Sequence, residues 1–117
     1  MTKIEQGVLG ENIAREYFEK LGFSFLASNF RTRFGEIDLI YMDRENLVLV
    51  EVKMRNKNKI QEIEYTINKT KINRILKTAE IYIEKNRDLK FDEIRIDALL
   101  IENGESDTQV KYYKNYL

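Results

Sequence analysis

The sequence predicts an α/β fold, a sandwich in which a mixed central sheet is flanked by helices in the order α-β-β-β-α-β-β. Three observations point there. Ala14, Tyr17, Phe18 and Leu21 form an apolar stripe at helical spacing near the start of the chain. Ile72, Ile75, Leu76, Ala79 and Ile83 form a second stripe past its middle. Between and after the stripes lie short runs rich in Val, Ile, Leu and aromatic residues, bounded by polar or glycine turns, which read as strands. Helices interleaved with strands pack as layers on a sheet. The 117 residues are enough for one domain, 1–117, with its own core.

The first helix is expected from Gly7 to Lys20, with Gly22 as its C-cap. Glu11 lies three residues before Ala14 and seven before Phe18, so it flanks the buried stripe, an unusual place for an acid. Gly7 and Gly10 beside it would let another backbone come close. A strand from Phe23 to Ser28 is followed by a basic turn, Asn29-Phe30-Arg31-Thr32-Arg33-Phe34-Gly35. Two apolar runs, Glu36 to Met42 and Leu47 to Lys53, flank the polar turn Asp43-Arg44-Glu45-Asn46 and make a hairpin. The second helix starts at Thr66 or Asn68 and ends at Lys85; Lys69, Lys71, Arg74 and Lys77 are displaced from its apolar stripe and read mostly as a solvated face. Strands from Ile94 to Ile101 and Val110 to Tyr113, joined by a turn containing Asn103-Gly104, complete the sheet. Tyr112, Tyr113 and Tyr116 read as edge packing rather than a base-stacking platform.

The hairpin carries the chemistry. If Met42 pairs with Leu47, Asp38 falls opposite Glu51 and Glu36 opposite Lys53, all on one face. Directly paired residues hold their Cβ atoms about 4.5–5.5 Å apart. Two carboxylates at that separation repel, and a divalent cation between them is a natural remedy. Acids at a strand end are ordinarily just solvated. Here Ile40, Met42, Leu47 and Leu49 are expected on the acids' face, and Ile37, Leu39, Val48, Val50 and Val52 on the other. A sheet apolar on both faces is covered on both, and partly buried acids need partners.

The chain has no His and no Cys. Cysteine nucleophiles, histidine bases, Ser–His–Asp triads, disulfides and His/Cys zinc sites are excluded, leaving carboxylate, lysine, tyrosine and hydroxyl chemistry. A cation held by oxygen ligands would be hard, Mg²⁺ or Mn²⁺, with Ca²⁺ as a candidate inhibitor. Net charge is zero, but residues 53–90 carry 11 basic and 5 acidic side chains, a local excess of six positive charges. Lys53-Met54-Arg55-Asn56-Lys57-Asn58-Lys59 leaves the acid-bearing strand with four positive charges and no acid. It reads either as a solvated loop or as a track for a phosphate backbone leading to the metal. No apolar run is long enough to span a bilayer, and the N-terminal residues lack a signal-peptide core, so no membrane partner and a cytoplasmic location are expected.

Gly10-Glu11, Gly35-Glu36-Ile37-Asp38-Leu39-Ile40 and Val50-Glu51-Val52-Lys53-Met54-Arg55 together resemble the signature of the YraN-like family, UPF0102. The resemblance covers nearly the whole chain: Asn29 and Arg31 match the loop before the Gly-Glu-Ile-Asp strand, Lys71, Arg74, Ala79 and Tyr82 the second helix, and Arg95-Ile96-Asp97 a late Arg-Phe-Asp element. It implies a restriction-endonuclease-like sandwich, close to Holliday junction resolvases, in the PD-(D/E)xK nuclease superfamily. Carried over, Asp38 and Glu51 are metal ligands, Lys53 the catalytic lysine, and Glu11 the helical acid that joins the site. Residues 56–62 depart from the family's usual glycine-containing stretch.

The expected function is metal-dependent hydrolysis of phosphodiester bonds in DNA, including branched, Holliday-junction-like DNA. Asp38 and Glu51, with the Val52 carbonyl and Glu11, would hold Mg²⁺ or Mn²⁺. Lys53, positioned by Glu36, would orient or deprotonate water or stabilise the developing charge. Arg31, Arg33, Arg55, Lys57 and Lys71 are the candidate phosphate contacts. A homodimer would suit an enzyme acting symmetrically on two strands. The alternative is a catalytically silent nucleic-acid-binding accessory module in DNA processing; weaker still is a structural protein whose acids only pair with lysines.

Overall fold

A computed structural model describes residues 2–56, 68–104 and 106–116. The element order is α1 (Lys3–Lys20), β1 (Ser24–Thr32), β2 (Gly35–Asp43), β3 (Asn46–Asn56), α2 (Lys69–Lys85), β4 (Glu93–Asn103) and β5 (Thr108–Tyr113). This is the α-β-β-β-α-β-β order expected. The five strands lie in sequence order across one sheet. Neighbours are antiparallel except β3 and β4, which run parallel. A parallel neighbour cannot be reached by a tight turn, and α2 lies in the connection between the two.

Several boundaries move outward from the expected ones. α1 starts a turn before Gly7 because Thr2-Lys3-Ile4-Glu5 is a capping box. The Thr2 hydroxyl accepts from the Glu5 amide at 3.1 Å, and the Glu5 carboxylate accepts from the Thr2 amide at 3.3 Å. At the other end Gly22 has φ +86, the left-handed position that follows a helix. The basic turn expected over 29–35 is mostly strand: β1 continues to Thr32, paired with Gly35, so only Arg33 and Phe34 turn. The Phe34 amide donates to the Thr32 hydroxyl at 3.1 Å and closes that turn. Asn29 sits inside β1 with φ +51, a conformation asparagine tolerates. Asn68 caps α2, accepting from the Lys71 amide at 2.9 Å. The Thr66 alternative and the basic run through Lys57 and Lys59 lie outside the described residues.

The sheet is covered on both faces. Ala14 and Phe18 of α1 pack with Leu39, Tyr41, Val48 and Val50 on one. Ile75, Ala79 and Tyr82 of α2 pack with Ile37, Ile40, Leu47 and Leu49 on the other. Ile37 therefore shares a face with Ile40, not with Leu39 as strict alternation predicts. At Gly10 α1 comes close to β3; a Cβ there would lie 3.5 Å from Met54. Gly7 meets nothing within 4 Å, so of the two glycines only Gly10 makes a close approach. Thr78 pins α2 to the sheet, its hydroxyl donating to the Arg74 carbonyl at 2.8 Å and lying 3.2 Å from the Thr32 hydroxyl. No helix among the described residues is long and apolar enough to cross a membrane.

A polar network is buried at β4. Asp97 is fully buried; Arg95 Nε and Nη2 donate to its two oxygens at 2.9 and 3.0 Å. Arg95 Nη1 also reaches Asp43 at 3.0 Å. The Tyr112 hydroxyl and the Asn115 amide donate to the same carboxylate, the latter at 2.8 Å. Tyr112 is thus edge packing with a purpose: its hydroxyl donates a hydrogen bond to a buried acid whose charge Arg95 balances. Breaking one partner of a buried pair strands the other charge. Asp97→Ala should cost about 3–5 kcal/mol in urea unfolding. A loss below about 1 kcal/mol would show that the Arg95 guanidinium finds water instead.

Candidate functional site

The pairing of β2 with β3 begins at Asp43 opposite Asn46, passes through Met42 opposite Leu47, and stops at Leu39 opposite Val50. The register is the expected one, but its extension to Asp38–Glu51 and Glu36–Lys53 is not formed. The reason lies in Asp38. Its Oδ2 accepts from the Val52 amide at 2.8 Å, a side-chain oxygen standing in for a ladder carbonyl. The outer pairings continue, with Thr32 opposite Gly35 in β1–β2 and Asn56 opposite Asn103 in β3–β4. The sheet therefore forks between β2 and β3, and Asp38 sits at the base of the fork. Glu36 travels with β1: it faces Arg31 across that ladder and pairs with it at 3.1 Å. It is Arg31, not Lys53, that Glu36 positions.

Two cavities meet at Asp38. One, of about 230 Å³, is lined by Glu36, Ile37, Asp38, Leu49, Glu51 and Ile75 on the α2 side. The other, of about 620 Å³, is lined by Glu11, Asn29, Arg31, Asp38, Val52 and Met54 under the N-terminal half of α1. Asp38 is common to both. Glu11 accepts a hydrogen bond from the Asn29 carboxamide, which the left-handed backbone at Asn29 aims at it. Lys53 is exposed on β3, and alternation carries it to the side of Glu51. Lys71, in the first turn of α2, reaches back and ion-pairs with Glu51 Oε1. That pair joins residues twenty apart and has no signature of spacing, so the sequence reading left it unseen.

The remaining cations are dispersed around this centre. The Arg33 guanidinium lies over the Phe34 ring, 4.8 Å from its centroid, at the β1–β2 turn. Arg55 pairs with Glu102 at 3.1 Å, further out along β3. Lys57 lies outside the described residues.

The electrostatics are strained at Asp38. Burial pushes its carboxyl up to about 6, and the nearby Glu51 and Glu36 carboxylates add to the rise. The Val52 amide and the Lys71 ammonium oppose it. Glu51 Oε2 is buried and has no hydrogen-bond partner among the described residues. A buried carboxylate oxygen left unpaired is costly. Oxygen donors from Asp38 and Glu51 fit a hard divalent cation, which keeps several waters and needs only one or two carboxylates. No group of three acids among the described residues is gathered closely enough to hold such an ion unaided.

The raised carboxyl of Asp38 has a thermodynamic consequence. A carboxyl whose folded pKa exceeds its unfolded value binds its proton more tightly when folded, so its contribution to stability is present at low pH and lost as pH rises. The window runs from about 4 to about 6, and the loss is about 2–3 kcal/mol. Asn at this position keeps an oxygen for the Val52 amide and carries no charge. In metal-free buffer Asp38→Asn should therefore gain stability over wild type as pH rises from 4 to 7. Urea unfolding at each pH checks this. A constant difference across that range would mean that Asp38 feels no burial.

Residues 10–101 match the model of the uncharacterised protein family UPF0102, a span that takes in Glu11, Asp38, Glu51, Lys53 and Lys71. A UPF0102 protein of Persephonella marina is 40% identical over 99 residues, covering 85% of this chain and 84% of that protein. One from Thermodesulfovibrio yellowstonii is 39% identical over 109 residues, covering 91% and 97%. One from Dichelobacter nodosus is 33% identical over 117 residues, covering 100% and 92%. With the family model matched across both helices and the fork between them, the chain belongs to the UPF0102 family.

Proposed function

We propose that the fork is the catalytic centre of a metal-dependent nuclease that hydrolyses phosphodiester bonds in DNA, branched DNA included. The observation that carries this is Glu51 Oε2, buried and without a hydrogen-bond partner among the described residues, beside a carboxyl that burial has already pushed up. A purely structural acid cluster has no reason to keep either. Asp38 and Glu51 would hold Mg²⁺ or Mn²⁺; Glu11, hydrogen-bonded to Asn29 in the cavity on the α1 side of Asp38, would have to leave Asn29 to join them. When bound, the ion supplies Lewis-acid activation of water and of a phosphate oxygen.

The chain's own groups supply the rest. Lys53 projects beside Glu51 and can orient a water or steady charge on the phosphorane oxygens. Glu36 holds the Arg31 guanidinium at the rim of the larger cavity. Arg31 can there take a phosphate oxygen in the forked geometry guanidinium provides. Arg33 and Lys71 flank the approach along the α2 side. Arg55 is committed to Glu102 and serves less directly than expected.

A panel of linear, single-stranded, flap and four-way DNA substrates with Mg²⁺ or Mn²⁺ tests the reading. Asp38→Ala and Glu51→Ala should abolish cleavage while preserving DNA binding in Ca²⁺. Lys53→Ala should slow it by about 10²–10⁴-fold, the range of a positioned proton-transfer group. Lys53→Arg should restore little, because a guanidinium does not give up its proton and differs in shape. Wild-type cleavage in full chelator, or normal cleavage by Lys53→Ala, would contradict the mechanism.

A further inference from the structure

We propose that Lys71 holds the place of the divalent cation at Glu51, so that cation entry expels the lysine and hands it to a phosphate of the nucleic acid. This rests on the reading of the fork as a metal centre. The two oxygens of Glu51 are treated differently. Oε1 is engaged by the Lys71 ammonium, while Oε2 is buried and unpartnered among the described residues. A monovalent ammonium therefore covers half of a carboxylate that a divalent ion could satisfy in full. Lys71 is also one of the charges holding Asp38 down, against the burial and the neighbouring acids that raise it. It thus bears on both candidate ligands.

The geometry also provides somewhere for the displaced side chain to go. Lys71 lies in the first turn of α2, and its side chain remains 43% exposed despite the ion pair, whereas that of Glu51 is 16% exposed. Beside it is a cleft of about 560 Å³ between the β1–β2 turn and the start of α2, lined by Gly35, Glu36, Asn68, Thr70, Lys71 and Arg74; its one carboxylate, Glu36, is already paired with Arg31. Turning away from Glu51, the ammonium enters this cleft next to Arg74. Two cations in a cleft adjoining the carboxylates suit one phosphodiester group. Before the cation binds, Lys71 neutralises the acids; afterwards it is available to substrate. The binding order is then cation first, nucleic acid second.

The ion pair acts as a competitor, so apparent cation affinity is reduced by the fraction of molecules in which it is open. A partly exposed pair worth about 1 kcal/mol corresponds to about fivefold. Mn²⁺ dissociation constants, measured by electron paramagnetic resonance without nucleic acid, decide the matter. Lys71→Gln should bind Mn²⁺ about fivefold more tightly than wild type. Lys77→Gln removes the same charge from the same helix and should stay within about twofold. In parallel, the Lys71 ammonium resonance in ¹⁵N NMR, assigned by its loss in Lys71→Gln, should move on Mg²⁺ saturation. Equal affinities for the two variants, or an ammonium signal unmoved by bound Mg²⁺, overturn the placeholder role while leaving the metal centre standing. Failure of all three proteins to bind Mn²⁺, or binding that Glu51→Gln leaves intact, overturns the metal reading and the placeholder with it.

Discussion

The hydrogen bond from the Val52 amide to the Asp38 carboxylate is the contact on which the site depends. It replaces a carbonyl with a side chain in the ladder between β2 and β3, and the two strands part from that point. Everything at the centre follows from the parting. Glu36 leaves with β1 and meets Arg31. Glu51 stays with β3 and faces α2, where Lys71 finds it. The cavities on the two sides of the sheet share Asp38 because it stands in the gap. A sheet zipped to its end would have buried the same acids against each other with no room for a third party.

The fork is affordable because the rest of the sheet is tightly held. Below it, the β2–β3 pairing carries apolar residues on both faces, and Leu39, Ile40 and Tyr41 are fully buried. Beside it, β3 and β4 stay paired for their whole length, from Asn46–Glu93 to Asn56–Asn103. The Arg95–Asp97 pair and its partners on Asp43, Tyr112 and Asn115 tie β4 to the β2–β3 turn and to the segment after β5. One network is thus saturated with partners, and the other leaves a buried oxygen without one among the described residues. That contrast separates the polar cluster that holds the fold from the one on which the proposed function rests.

Much of this was legible in the residues. The helical stripes located both helices, and the Met42–Leu47 register of the hairpin is as the alternation of apolar residues implies. Asp38 and Glu51 were identifiable as neighbours because the Met42–Leu47 register brings the two strand ends together. What failed was the assumption that alternation continues to the strand's end: Ile37 turns to the α2 side, and the acids are not a direct pair. Alternation describes a ladder, and a side chain that captures a backbone amide ends the ladder without altering the pattern. The Lys71–Glu51 pair and the Asn29–Glu11 bond were illegible because they join different elements at long range. The early start of α1 was legible, in Thr2 and Glu5, and was obscured by giving Gly7 the weight of a boundary.

The account's central claim is that Asp38 and Glu51 share one divalent cation across the fork. Anomalous diffraction from crystals grown with Mn²⁺ tests it most directly. The predicted result is a single peak between the two carboxylates, about 2.0–2.2 Å from an oxygen of each, with Glu51 Oε2 engaged and the Lys71 ammonium no longer on Glu51. No peak in the fork at saturating Mn²⁺, with the Lys71–Glu51 pair intact, would contradict it.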